Sequence, residues 1–472
     1  MRRRVSSAPN TGSAVRRTLL ALVWSAGACG LGSSDRTPPL PTVTATVTRN
    51  TGNTIVHLSM SPTAAALATP DVMSSPLVLE RVALPDTVRQ AHIADVAALS
   101  DGRVAVLLRD LKQIVVVRSG AVERHFGRAG RGPGEFRDPI ALEARSDGFA
   151  VLDSDAMQVF NDKGEPLRAV RLPWMPDWGL AYNRRPLLYH QAPFQMGPED
   201  FSHRIGRMRG GYIVIARDRA STLVLPLDGA PQLLPLSLVA VAADGGRADS
   251  VRSVRGPLRI PSTIVIRDRS GAPMSDVVPI LAEPLFEDRP LVAGSDRWFA
   301  VFDPARGRVE ITFADTTQPV VVDWPVSPIS VTDSMRVRFM EWFNADMTTA
   351  AADDSIASVW QRRAAKLSFE MKLRQSRSAQ FAPTVASIAA MFAEQECLWL
   401  IGTDPRDFSD GTSHWGVQLD IRTLAVRGPF RLAERGMQLR DVGHGFAYST
   451  GRTWEGEFYL ERTPLPDCTR FE

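Results

Sequence analysis

Histidine, cysteine and runs of a single charge are all scarce in this sequence, and each shortage closes off a class of function. The seven histidines (His57, His92, His125, His190, His203, His414 and His444) include no His-x-His or His-Glu-x-x-His pair, so no zinc site is written locally in the chain. Five arginines, Arg2, Arg3, Arg4, Arg16 and Arg17, lie in the first 28 residues with no acid among them; without them the formal charge of +3 becomes 3 − 5 = −2. The remainder therefore lacks the positive field that draws a protein onto phosphate backbones, and nucleic acid is not an expected partner. No Gly-x-Ser-x-Gly elbow offers a serine nucleophile. The apolar stretch Thr18 to Ala28 is too short to cross a bilayer as a helix.

What is present begins with a targeting pattern. Arginines, an apolar run and the small residues Ala26-Gly27-Ala28 have the order of a signal peptide over residues 1–28. With Cys29 the run Ala26-Gly27-Ala28-Cys29 resembles the lipobox of bacterial lipoproteins, departing from it at Ala26, where Leu is usual. That resemblance implies that Cys29 is lipidated and becomes the new N-terminus, and each acyl methylene buried in a membrane is worth about 0.8 kcal/mol. Gly30 after the cysteine implies, by the same resemblance, an outer-membrane lipoprotein of the cell envelope, facing periplasm or exterior. Ordinary cleavage near Ala28, with Cys29 a bystander, is the alternative. Cys397 and Cys468 then remain, an even pair in a compartment that tolerates disulfides. Bridged, they would contribute roughly 4 kcal/mol on the entropic account; otherwise they are two separate buried thiols. Residues 29–75, rich in Pro, Thr, Ser and Ala, form a tether and linker. Within it, Thr42 to Thr48 and Thr54 to Leu58 flank the turn signal Asn50-Thr51-Gly52-Asn53, which predicts a small hairpin.

From residue 76 to 472 one unit recurs: a polar turn with Gly, an apolar run, a break, and a second apolar run. Asp101-Gly102 leads to Val104 to Leu108 and Gln113 to Val117; Asp147-Gly148, 46 residues on, leads to Phe149 to Leu152 and Met157 to Phe160. Four weaker copies begin at Gly211, Trp298, Leu398 and Gly445, the first of these pairing Gly211 to Ile215 with Leu223 to Leu225. Short, even strands without alternating helices predict an all-β, six-bladed β-propeller, each sheet buried between its neighbours. Leu77 to Leu84 is placed to pair with the last blade and close the ring. Between the first two copies stands GRAGRGPGEF, residues 127–136, followed by Asp138-Pro139. Here the chain resembles the NHL and related six-bladed propellers, whose blades are joined by Gly-x-Gly-x-Gly-Pro-Gly-x-Phe, with Gly127 further back than the pattern asks, where Arg128 stands. Gly130, Gly132 and Gly134 are expected to take φ values closed to other residues, Pro133 to stiffen the turn and Phe136 to anchor the loop between blades.

One segment, residues 331–376, breaks the β pattern. Thr332 or Asp333 can cap a helix with Met335, Phe339, Trp342 and Phe343 on one face, and Asp353 can begin a second, giving an inserted helical hairpin. It packs on the propeller or serves as a lid or docking arm. Trp174, Trp178 and the stretch Tyr182 to Pro186 form an insertion that either plugs a gap between blades or presents a binding surface. His92, Asp95 and Asp153 are candidates to meet at the central channel around a metal, or else turn and capping residues. Ser409 to Trp415 has the wrong spacing for the blade boxes of sialidases, and no pattern matches the metal ligands of lactonase-like propellers. No catalytic residue, metal ligand or cofactor is assigned from the sequence. The expectation is a binding or scaffold module for a protein, peptide or glycan, held to the membrane by lipid. The alternative is an envelope hydrolase, lyase or lactonase with a divalent metal in the channel.

Overall fold

The computed structural model describes residues 43–60, 80–171, 205–217, 232–282, 290–324, 329–337, 381–402 and 415–466, with breaks of one to five residues inside these spans. All of them belong to the unit formed by residues 40–472. The tether before residue 43, the insertion around Trp174 and Trp178, and most of the segment read as a helical hairpin lie outside the described residues. Of that hairpin, residues 333–337 are helical, and the Thr332 hydroxyl accepts the Met335 N–H at 3.3 Å as the expected cap.

The described residues form a six-bladed β-propeller. The first blade runs outward through Ile93–Ala98, Val104–Leu108, Gln113–Arg118 and Ala121–Phe126, and the second through Ala141–Arg145, Gly148–Asp153, Ala156–Asn161 and Pro166–Arg171. The third begins with Ile205–Met208 and Gly211–Arg217, the fourth with Leu291–Gly294 and Trp298–Asp303, the fifth with Ile388–Glu394 and Cys397–Gly402, and the sixth with Gln438–Gly443 and Phe446–Arg452. Innermost strands touch in sequence, first to second and onward, and the sixth returns to the first.

Burial on both faces explains why the strands read as unbroken apolar runs. Val104 to Leu108 are all buried, and their alternation sorts them between two cores. Val104, Val106 and Leu108 meet Tyr448 and Leu460 of the sixth blade, whereas Ala105 and Leu107 meet Leu142, Phe149 and Phe160 of the second. The ring is closed as expected: Glu80–Val82 pairs antiparallel with Phe458–Pro464, Val82 opposite Leu460. Its exposed pairs, such as Arg462–Glu80 at 2.7 Å, add little. The backbone ladder and the burial of Val88, on the short helix Asp86–Arg89, hold the seam.

Two outer features differ from the sequence reading. The hairpin Val43–Asn50 and Asn53–Met60 forms, but it is built into the fourth blade: Asn53–Met60 runs parallel to Val320–Asp323. Val43, Val56 and Leu58 enter the core shared by the fourth and fifth blades. In the third blade, Gly211–Arg217 pairs with Gln232–Ala242 rather than with the run at Leu223 to Leu225, which lies outside the described residues. The nearer apolar run was not the partner because the connection between these strands is longer than in the other blades.

Candidate functional site

The innermost strands enclose a cavity of about 250 Å³, lined by residues of all six blades. What charges its wall is a recurring irregularity. In the first blade the pairing register slips between Ile93 and Asp95, and in the sixth between Leu439 and Asp441. Such a bulge adds one residue to the strand and re-aims the side chain that follows. Both aspartates then make the same pair of contacts. Asp95 accepts its neighbour's N–H, from Val96, at 2.9 Å, and reaches to the second blade to accept the Leu142 N–H at 2.8 Å. Asp441 accepts the Val442 N–H at 2.8 Å and, across the closing seam, the Ala98 N–H at 2.7 Å. Each carboxylate therefore staples its blade to the next. The fifth blade has the same slip, between Ile388 and Ala390, with alanine in place of the acid.

Glu143 of the second blade and Arg207 of the third continue this charged arc, their side chains 3.0 Å apart and 24% and 27% exposed. Arg145 beside them donates to the carbonyls of Met208 and Gly211 at 3.2 and 3.0 Å. Arg440, buried behind Asp441, donates to Thr450 Oγ1 at 2.8 Å and to Gln438. The fourth and fifth blades line the cavity with Val292, Ala293, Gly294 and the stretch Met391 to Ala393. The wall is thus charged along the arc from the sixth blade to the third; Asp296, just past the innermost strand of the fourth blade, faces Arg145 at 3.3 Å, and among the described residues the innermost strands of the fourth and fifth blades bring no ionisable side chain of their own to the lining.

Burial dominates the ionisation of this arc. It pushes Asp95 up to about 7, against the N–H groups of Leu142 and Val96 and the charge of Arg440. Glu143 is pushed up to about 8, first by the protein around it and then by Asp441 and Asp95, with Arg207 and Arg145 opposing. Burial raises Asp441 as well, and burial together with Arg207 lowers His444 at the cavity mouth. Asp95 and Glu143 therefore keep their protons to a higher pH than free carboxylates do, so the arc can exchange protons or partners where an ordinary acid could not.

Of the three residues proposed to meet at the channel, only Asp95 does so. The His92 backbone N–H donates to Asp110 at 3.0 Å, and its ring stacks on Phe458 at 5.5 Å, outside the cavity lining. Asp153 accepts the N–H groups of Arg137 and Asp138 at 2.8 and 2.6 Å and so holds the inter-blade loop. Among the described residues, no group of three His, Cys, Asp or Glu side chains is gathered to hold a metal. Glu143, Arg207 and Asp441 were not foreseen. The aspartates did leave a signal, the matching runs Ile93-Ala94-Asp95-Val96 and Leu439-Arg440-Asp441-Val442.

The glycine-rich loop turns on Glu135. Its carboxylate accepts the N–H groups of Arg131 and Gly132, both at 2.8 Å, and the Arg128 guanidinium at 2.9 Å, which hold it below the usual carboxylate range. A Cβ on Gly130 would lie 2.0 Å from that carboxylate and one on Gly132 at 3.2 Å, so both glycines leave room for it. At Gly134 the requirement is φ, at +75°. Pro133 lies in this turn, and Phe136, fully buried, packs 5.7 Å from Phe160 between the first two blades. Elsewhere, Cys397 is buried and disulfide-bonded, while Cys29 and Cys468 lie outside the described residues.

No protein-family model matches the chain, and no curated protein matches its sequence. Among solved structures it is similar to a streptogramin B lyase, at 10% identity and a TM-score of 0.33 over 82% of this chain and 98% of that one. A catalytically inactive virginiamycin B lyase from Staphylococcus aureus with quinupristin gives 10% and 0.36, covering 83% and 100%. A luciferin-regenerating enzyme gives 8% and 0.33, covering 82% and 95%. At this level of likeness none of them says what this chain binds.

Proposed function

We propose that this chain is an exported, NHL-like β-propeller, anchored in the outer membrane through lipid on Cys29, that acts as a binding module of the cell envelope and takes a peptide, protein segment or glycan at its channel. The observation that carries this reading is the division of labour along the charged arc. Asp95 and Asp441 spend their oxygens on backbone N–H groups at two seams. Glu143 and Arg207 hold one another at 3.0 Å while partly open to the cavity. A carboxyl–guanidinium contact so placed can trade its partner for a ligand's polar groups, a donor toward Glu143 and an acceptor toward Arg207. Amides, hydroxyls and chain termini supply both.

The test is a thermal-shift and native mass-spectrometry screen of short peptides and oligosaccharides. At least one should stabilise the wild type, and Arg207→Ala should abolish that effect while leaving the far-UV circular dichroism unchanged. Equal stabilisation of both proteins would place the ligand elsewhere, and no binding by any compound would count against the module. Conversion of a bound compound to product would instead favour the envelope-enzyme reading.

A further inference from the structure

We propose that Cys397 is joined to Cys468, and that this bond clasps the chain leaving the sixth blade onto the fifth. Cys397 opens the strand Cys397–Gly402 and is disulfide-bonded, and the chain's other cysteines are Cys29 and Cys468. The path of the chain after its last described strand favours Cys468. The Leu465 N–H donates to the Gly445 carbonyl at 2.8 Å, and its side chain packs on the cluster that Trp399 and Leu432 of the fifth blade share with Leu439 and Ala447 of the sixth. Gln418, fully buried on the fifth-blade strand Trp415–Asp420, then donates to the Pro466 carbonyl at 3.2 Å.

Gln418 lies opposite Trp399 in the ladder, and Cys397 is two residues from Trp399 on the same face of its strand. Two strand residues cover about 6.6 Å, and the two residues from Pro466 to Cys468 can span about 7 Å. The reach thus matches the offset, so Cys468 can draw level with Cys397, as a bridge with Cα atoms roughly 4.4–6.8 Å apart requires. The bond forms by exchange with an oxidised dithiol of the exporting compartment. Two thiols are oxidised, one S–S bond is made, and the donor disulfide leaves as two thiols. The location rests on the export reading, and the pairing leaves the Cys29 sulfur for lipid.

Peptide mapping of the full-length protein, purified from an oxidising envelope without reductant, should yield a linked peptide containing Cys397 and Cys468. A link from Cys397 to Cys29, or alkylation of Cys397 and Cys468 without prior reduction, would overturn the proposal. Cys397→Ser, Cys468→Ser and the double variant should share one lowered melting temperature, to which reductant brings the wild type. Additive losses would contradict the pairing. The mass of the Cys29 peptide is read in the same experiment: an unlipidated Cys29 with the clasp intact refutes the anchor alone.

Discussion

Glu135 shows how a single side chain can dictate its surroundings. Because the carboxylate occupies the space that a side chain at Gly130 would need, Gly130→Val should destabilise by about 2–3 kcal/mol in denaturant titrations, as overpacking does. Gly132→Val, with its contact at 3.2 Å, should cost less. Equal losses would mean that the loop does not pivot on Glu135. A Cys29→Ser variant should move from the membrane to the soluble fraction, and persistent membrane association would refute the lipid anchor. In the channel, Glu143 and Asp95 hold their protons more tightly folded than unfolded, so the stability they lend is complete below the unfolded carboxylate range and is lost as pH rises through about 7 to 8. The melting temperature should therefore fall between pH 5 and 8.5. The fall should be shallower in Glu143→Gln; an identical slope would show that Glu143 does not titrate in this window.

At the scale of elements, sequence patterns disclosed what was local and hid what was not. The hairpin Val43 to Met60 was legible from its turn residues, but its place in the fourth blade depends on a parallel partner, Val320–Asp323, far along the chain. No turn signal encodes such a pairing. Strand Glu80–Val82 was legible because a propeller must close on itself. The stapling aspartates were half legible: the repeated run with Asp-Val was present in the sequence, while the bulge that aims it became visible only in the ladder. Glu143 and Arg207 carry no spacing signal at all, since only the packing of successive blades brings the innermost strands of the second and third side by side. Deleting residues 30–60 should remove the burial of Val56 and Leu58 and destabilise by roughly 4 kcal/mol. An unchanged denaturation midpoint would mean that the hairpin is an ornament on the blade.

The molecule as a whole is a ring whose blades are held by apolar cores on both faces and, at two adjoining seams, by a buried carboxylate reaching from one blade to the next. The same geometry leaves the Glu143–Arg207 pair facing the cavity, which makes the channel the centre of the functional reading. Hydrogen-exchange mass spectrometry with the peptide or oligosaccharide that stabilises the protein most tests that reading directly. Added protection should concentrate in Ala141–Arg145 and Ile205–Met208, the strands that carry the pair, and vanish in Arg207→Ala. Protection confined to outer strands, or retained in the variant, would contradict it.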